Sequence, residues 1–182
     1  MSTIKTESAA AWDMDAVAEF AESDDVLMLG RSFSHELDSV VQAARVHEYL
    51  TLVSWETAAR EVRFGLGEFR IRSNELAEDL TSLVTSFLTQ FELNEARLRI
   101  EVTRTQACPK FHCDNIHVRL VTTYVGPTTE YQYVGEDAVH VAPLYGLVFL
   151  KGHQFFNHKD SVHHRSPKVS PGQNRLCVAI DY

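Results

Sequence analysis

Apolar residues in the second half of the chain recur at every other position, which is the period of a β-strand. Leu98, Ile100 and Val102 alternate with charged residues, and residues 118–124 are β-branched and aromatic. Further short apolar runs, separated by Gly, Pro, Asn and Asp, follow at residues 130–134, 138–141, 146–151 and 176–182. Short strands at such regular spacing are typical of a jelly roll or a small barrel.

The first half of the chain shows helical spacing instead. It predicts one helix over residues 34–49 and a second helix that begins at a Ser73–Asn74 cap. The second helix would bury a stripe made of Leu76, Leu80, Leu83, Val84, Phe87, Leu88 and Phe91. Between the two helices, residues 62–71 alternate and contain glycine, which predicts a strand or hairpin. The weakly patterned, acidic residues 1–30 are expected to form an appended helix or a loose arm.

These patterns together predict an α+β protein with a jelly-roll core and N-terminal helices packed on it. A length of 182 residues allows one domain with a sizeable core and is short for two ordinary domains. We therefore expect a single domain over residues 1–182, in which residues 1–95 are a helical scaffold and residues 96–182 are the β core.

Composition narrows the classes of function. The net charge of -8 argues against nucleic acid as the main partner, and the 45% apolar content includes no run of the ~20 residues that a membrane helix needs. The N-terminus has acids where a secretory signal has basic residues, so we expect a cytoplasmic protein with no membrane partner and with its three cysteines reduced. Basic residues outnumber acids only beyond residue 95, which favours an anionic ligand there.

The residues that carry chemistry lie in that basic half. His112 and Asp114 are two apart and can point to one face of an extended segment, and His164 can reach them from another strand. Two imidazoles and one carboxylate suit divalent iron and leave positions open for a cosubstrate and oxygen. Arg175, on the last predicted strand with Cys177 and Ala179 on its face, can grip the distal carboxylate of 2-oxoglutarate through two hydrogen bonds.

At this point the sequence resembles the iron(II)/2-oxoglutarate-dependent dioxygenases, which carry His-x-Asp, a distal His and an Arg or Lys about ten residues later. The resemblance implies a double-stranded β-helix (cupin-like) core, Fe(II) as cofactor and 2-oxoglutarate as cosubstrate. It also implies metal and catalytic roles for His112, Asp114 and His164, a 2-oxoglutarate-binding role for Arg175, and hydroxylation of an unknown substrate with dioxygen. Cys177 stands where several members have a serine. Residues 108–112 and 164–167 are also similar to an uncharacterised bacterial family of unknown function.

Alternatives remain open at several positions. His163 and His164 are alternative ligands, because only one of two adjacent strand residues can face the metal. The resemblance favours His164, since it places the ligand directly before an arginine, here Arg165. Thr122 and Tyr124 share the parity of His112 and Asp114, so either hydroxyl is a candidate for binding the cosubstrate or for core packing. Arg119 has the opposite parity and is interpreted as a surface or ion-pair residue, and Cys113 as buried packing.

The proposed metal ligands also allow two other functions, and the loops predict a route by which the substrate enters. The same residues would also suit a cupin-like protein that binds or senses zinc or iron without turnover, and a purely structural domain would pair Asp114 with Arg175. Substrate access is expected between residues 152–161 and 127–141, with Phe155 or Phe156 facing the substrate. Neither the substrate nor the oligomeric state follows from the sequence.

Overall fold

The computed structural model describes residues 10–182. Its helices and strands are α1 (Met14–Glu22), β1 (Val26–Leu29), α2 (Asp38–Gln42), β2 (His47–Val53), α3 (Ala58–Glu68), α4 (Asn74–Gln90), β3 (Ala96–Thr103), β4 (Val118–Val125), β5 (Glu130–Tyr133), β6 (His140–Val141), β7 (Leu147–Lys151), β8 (Val162–Arg165) and β9 (Arg175–Asp181). Among these residues, no helix is both long and apolar enough to cross a membrane.

The strands form two antiparallel sheets. The larger has six strands in the order β1-β7-β4-β9-β3-β2, and the smaller has three in the order β6-β5-β8. The α+β class predicted from the sequence is therefore confirmed, as are the strands over the second half of the chain. The alternating pattern of β3 reflects one buried face, whereas β4, β7 and β9 are buried on both faces and are marked by continuous runs of apolar and β-branched residues.

The N-terminal half differs from the predicted helical scaffold. Strands β1 and β2 lie within it and form the two edges of the six-stranded sheet, paired with β7 and β3. The helix expected over residues 34–49 is only the short α2, after which the chain enters β2. Of the weakly patterned N-terminal segment, residues 1–9 lie outside the described residues, and the rest contains α1 and β1.

Residues 62–71 lie largely in helix α3, so the predicted strand or hairpin is wrong. Val62, Gly65, Leu66 and Phe69 follow helical spacing and are buried, whereas Phe64 is 59% exposed. A Cβ on Gly65 would lie 2.5 Å from a ring carbon of Tyr49, so the glycine allows α3 to approach β2 closely. Gly65 is therefore required for the packing of α3 against β2. In the sequence alone, a glycine at this position is indistinguishable from one that interrupts a strand.

Helix α4 is confirmed where the sequence placed it. Ser73 caps it by accepting a hydrogen bond of 3.1 Å from the backbone N–H of Leu76, and the predicted apolar stripe faces the core. The helices cover one face of the large sheet, where Leu120, Val178 and Ile180 join the main core. The opposite face carries Val121, Cys177 and Ala179, which pack with Val162 and Ala142 in a smaller core between the two sheets. The candidate site lies on this second face.

Candidate metal centre

The two parts of the predicted ligand set are joined by backbone pairing. The N–H of His112 donates to the carbonyl of His164 at 3.0 Å, and the N–H of His164 donates to the carbonyl of His112 at 2.9 Å. This isolated bridge extends β8 toward the segment that precedes β4, and it brings the two imidazole rings to a centroid separation of 4.6 Å.

His112, Asp114 and His164 form a cluster whose possible ligand atoms all lie within 4.8 Å of one another. The Nε2 atom of His164 is 3.2 Å from Oδ2 of Asp114, and Nε2 of His112 is 3.5 Å from Oδ1. His112 Nδ1 lies 2.8 Å from the carbonyl of Lys110, to which it can donate, and this leaves the Nε2 lone pair free for the cluster. His163 faces away and contacts Asp160 at 3.0 Å. The structure therefore gathers the three residues that the sequence proposed as ligands.

The protonation states of Asp114 and His164 are those that metal binding requires. Burial raises the pKa of the Asp114 carboxyl, but the hydrogen bond from His164 and the charge of Arg119 outweigh it and hold that pKa well below its usual range. Burial lowers the pKa of the His164 imidazole, against the opposing hydrogen bond and charge of Asp114. An ionised carboxylate and a neutral imidazole are the forms that bind metal ions.

Arg119 is the ion-pair residue that the sequence interpretation allowed, but its ion pairs place it inside the site. Its Nη1 donates to Oδ2 of Asp114 at 2.6 Å, and its Nη2 donates to Oδ2 of Asp181 at 2.7 Å. Burial lowers its pKa, but the two carboxylates outweigh that effect and raise it. Arg97 holds the other oxygen of Asp181 at 2.6 Å. Because the Asp114 carboxylate is tethered through Arg119 to strand β9, its orientation is fixed.

Arg175 lies on the face of β9 that carries Cys177 and Ala179, and it is only 2% exposed. Its Nε donates to the carbonyl of Pro127 at 2.8 Å, and its Nη2 lies 3.2 Å from the hydroxyl of Thr123 and 3.4 Å from that of Thr129. Within residues 10–182, no carboxylate lies within ion-pair distance of this guanidinium. The internal pair with Asp114 that a purely structural domain would need is therefore absent from the described part of the chain. A buried positive charge that meets only neutral oxygens is suited to an anionic ligand.

Thr122 and Tyr124 do not belong to this site, so their predicted role is corrected. Tyr124 lies in the main core on the helical side of the sheet, where its hydroxyl donates to Asp79 and accepts from Arg31. Thr122 donates to the carbonyl of Tyr145 at 3.3 Å. Parity relates residues only along an unbroken strand, and a bend at residues 115–117, between Asp114 and β4, interrupts it. The threonines that reach Arg175 are Thr123 and Thr129 instead.

One cavity connects the cluster of candidate metal ligands with Arg175. Its lining includes His112, His164, Arg119 and Arg175, and the remaining lining residues are Arg99, Glu101, Ala107, Cys108, Val121, Thr129, Arg165, Ser166, Cys177 and Ala179. Thr129 of segment 127–141 lines the cavity, but no residue of segment 152–161 does, so only one side of the predicted route of access borders this cavity. Phe155 is buried in the main core, and the 78% exposed Phe156 lies outside the cavity. The cavity is bordered instead by segments 99–108 and 164–166.

The donor set fits divalent iron. It supplies two imidazole nitrogens and one carboxylate from one side, and the carboxylate is oriented by a hydrogen bond from Arg119, as metal-ligating carboxylates commonly are. Three protein ligands leave coordination positions for other molecules. The adjoining cavity, with an arginine deep in it, gives an anion access to those positions.

Solved structures that the chain resembles come from 2-oxoglutarate oxygenases among others. The dioxygenase for auxin oxidation 1 of Arabidopsis thaliana, in complex with 2-oxoglutarate, aligns at 12% identity and a TM-score of 0.43 over 93% of this chain and 78% of that one. The viral collagen prolyl hydroxylase of Paramecium Bursaria Chlorella virus-1, also with 2-oxoglutarate, aligns at 9% identity and a TM-score of 0.42 over 73% and 94%. A C-terminally truncated protein of Neurospora crassa, solved in apo form, aligns at 15% identity and a TM-score of 0.40, and the match spans 43% of its length and 58% of this chain. At these low identities and TM-scores the likeness is loose and says nothing of the activity of this chain.

No curated protein matches the chain. A family profile does match, over residues 28–181, which include helices α2 to α4 and the candidate metal centre. The prediction that the chain resembles a family of unknown function is confirmed by this match. The chain belongs to the family described as "Protein of unknown function (DUF1826)".

Proposed function

We propose that this protein is an iron(II)- and 2-oxoglutarate-dependent oxygenase that hydroxylates a substrate not yet identified. The observation that carries the proposal is the buried guanidinium of Arg175, which has no carboxylate partner within residues 10–182 and shares a cavity with His112 and His164. A protein that only held a metal would gain nothing from an unpaired internal arginine, since a buried charge without a partner costs free energy.

His112, Asp114 and His164 would hold the iron. The bound metal would supply the oxidising chemistry by which oxygen and 2-oxoglutarate are consumed and a substrate C–H bond is hydroxylated. Arg119 keeps the Asp114 carboxylate ionised and oriented, because its guanidinium is buried between Asp114 and Asp181. The fold proposed for this arrangement is a jelly roll of the double-stranded β-helix type, in which the site lies between the two sheets.

Arg175 would bind the distal carboxylate of 2-oxoglutarate. Its Nε and Nη2 already contact three neutral oxygens, which fix the plane of the guanidinium before any ligand arrives. Thr123 and Thr129 would help, because a hydroxyl that accepts from the guanidinium can also donate to a carboxylate. Val121, Cys177 and Ala179 line the same cavity and would exclude water around the methylene groups of the ligand.

Anaerobic titration of the metal-free chain with iron(II), and then with 2-oxoglutarate, tests the proposal. We expect a weak visible metal-to-ligand charge-transfer band that appears only when both are present, because the 2-oxo acid would bind the iron directly. Once oxygen and a reductant such as ascorbate are admitted, 2-oxoglutarate should be converted to succinate and carbon dioxide, the reductant taking the place of the missing substrate. Iron binding with neither the band nor any measurable 2-oxoglutarate affinity would instead identify a metal-binding or sensing protein.

A further inference from the structure

A second cluster of metal-ligating side chains lies on the other side of the segment that carries His112 and Asp114. Cys113, His153, His158 and Asp160 place one thiol, two imidazoles and one carboxylate so that their possible ligand atoms all lie within 4.8 Å of one another. The sequence interpretation of Cys113 as buried packing does not account for this cluster. The proposed oxygenase function uses none of the four side chains.

We propose that these four residues form a zinc site separate from the proposed iron site. One thiolate, two imidazoles and a carboxylate make a complete tetrahedral set for zinc, and four protein ligands are typical of a structural site rather than a catalytic one. The Sγ atom of Cys113 is 3.3 Å from Nε2 of His158. Zinc–ligand distances of about 2.3 Å to sulfur and about 2.0 Å to nitrogen require a separation of about 3.5 Å in a tetrahedron. This pair is therefore already close to the spacing that zinc imposes.

The backbone holds the two ligand-bearing segments against each other. The N–H of His153 donates to the carbonyl of Asp114 at 2.9 Å, and the N–H of Gln154 donates to the carbonyl of Ile116 at 3.0 Å. Gly152 makes this approach possible, because a Cβ there would lie 2.2 Å from the carbonyl oxygen of Ile116. The contact places His153 beside Cys113 before any metal binds.

The far end of the loop is also anchored. Asp25 accepts hydrogen bonds from the backbone N–H of Lys159 at 3.1 Å and from that of Ser161 at 2.8 Å, so the backbone on both sides of Asp160 is fixed. His163 Nε2 lies 3.0 Å from Oδ1 of Asp160, which gives that carboxylate a neighbouring imidazole to orient it. The ring of His153 packs edge-on against that of His158 at 4.9 Å.

The proposed zinc site gives segment 152–161 a role in the protein. Segment 152–161 contributes nothing to the lining of the site cavity, yet it carries three of the four ligands. Zinc there would tie this loop to Cys113, whose two sequence neighbours are the proposed iron ligands His112 and Asp114. We therefore expect the zinc to stiffen the segment that presents those ligands.

Cobalt substitution tests the site without any variant. Among the two clusters only the second contains a thiol, so metal-free wild-type chain loaded with cobalt(II) should show a near-ultraviolet thiolate-to-cobalt charge-transfer band together with the intense visible bands of a tetrahedral ion. Replacement of cobalt by zinc should abolish both sets of bands. A cobalt-loaded wild-type chain without the thiolate band overturns the proposal.

Zinc stoichiometry then assigns the ligands. In a His112→Ala/His164→Ala background, which removes the first site, we expect one zinc per chain after reconstitution. Adding Cys113→Ser or His158→Ala should weaken zinc binding more than tenfold. The controls Cys108→Ser and His117→Ala, which change an exposed thiol and an exposed imidazole outside both clusters, should leave it unchanged. Equal zinc affinity in Cys113→Ser and Cys108→Ser contradicts the assignment. The outcome is independent of the oxygenase proposal, because two of the three iron ligands are absent from every chain compared.

Discussion

Replacing Arg175 by methionine separates a ligand-binding arginine from a structural one. Methionine keeps much of the length of the side chain and removes the charge. In the ligand-free protein the change loses three hydrogen bonds to neutral oxygens, and it also relieves the burial of a charge that has no carboxylate partner within residues 10–182. These effects oppose each other, so we expect the free energy of unfolding to change by no more than about 1–2 kcal/mol.

The affinity for 2-oxoglutarate should change far more. Truncating one partner of a buried, hydrogen-bonded charge pair costs about 2–5 kcal/mol, and each 1.4 kcal/mol is a factor of ten, so Arg175→Met should weaken binding by roughly 30-fold to several thousand-fold. Iron affinity should stay the same, because Arg175 is not among the clustered ligands.

Calorimetry under nitrogen on iron-loaded chains measures these affinities, and urea denaturation of the ligand-free chains measures stability. Arg60→Met is the matched control, since its side chain is 72% exposed and lies outside the cavity. Equal 2-oxoglutarate affinity in Arg175→Met and wild type would remove Arg175 from the ligand site. A loss of several kcal/mol in stability with unchanged affinity would make it a structural residue.

Three further perturbations follow from the structure. Arg119→Met should weaken iron binding by about 10- to 100-fold in a competition titration, because the orientation of Asp114 depends on that guanidinium, and unchanged affinity would rule out this role. Asp25→Asn should destabilise the fold by about 2 kcal/mol at pH 7, as read from urea denaturation, since the carboxylate accepts charge-assisted hydrogen bonds from the Lys159–Ser161 segment. Burial raises the pKa of Asp25, but these hydrogen bonds outweigh it and lower the pKa below the unfolded value of about 3.9, so the stabilisation is complete above that pH and is lost as the pH falls through the folded pKa. A stability difference between wild type and the Asp25→Asn variant that persists in full at strongly acidic pH, below the folded pKa, would contradict this. Ser73→Ala should cost about 1 kcal/mol in the same assay through loss of the α4 cap, and no loss would mean that the cap contributes nothing.

Strand β3 and helix α4 could be predicted because burial on one face leaves a period in the sequence, and β4, β7 and β9, buried on both faces, because they are continuous apolar and β-branched runs. Strand β2 could not, because it is an edge strand whose residues Leu50 and Leu52 are exposed, so its apolar residues do not mark a buried face. The strand predicted over residues 62–71 is wrong because Gly65 occupies a packing contact with Tyr49 that no local pattern reveals.

In the candidate site, too, some features could be predicted from the sequence and others could not. The grouping of His112, Asp114 and His164 could be predicted because the three residue types match one metal chemistry and the strand period sets their direction. The ion pairing of Arg119 agrees with the prediction, but its side of the strand does not, because parity does not carry across the bend at residues 115–117. The prediction that Arg175 shares a face with Cys177 is confirmed, since β9 is unbroken between them.

The second cluster could not be predicted from spacing. Its ligands come from one residue before β4 and from an irregular loop after β7, and their convergence depends on backbone contacts at Gly152 that only the folded chain makes. Loops have no period from which the direction of a side chain can be read.

Iron(II) affinity in the matched pair His164→Ala and His163→Ala tests the proposed metal centre most directly. The two residues are adjacent on β8, but the structure directs only His164 toward Asp114. With the second cluster silenced by Cys113→Ser in every chain, competition titration under nitrogen should show a loss of about 100-fold or more for His164→Ala and little change for His163→Ala. Loss of iron from His163→Ala with normal binding by His164→Ala would contradict the proposed centre.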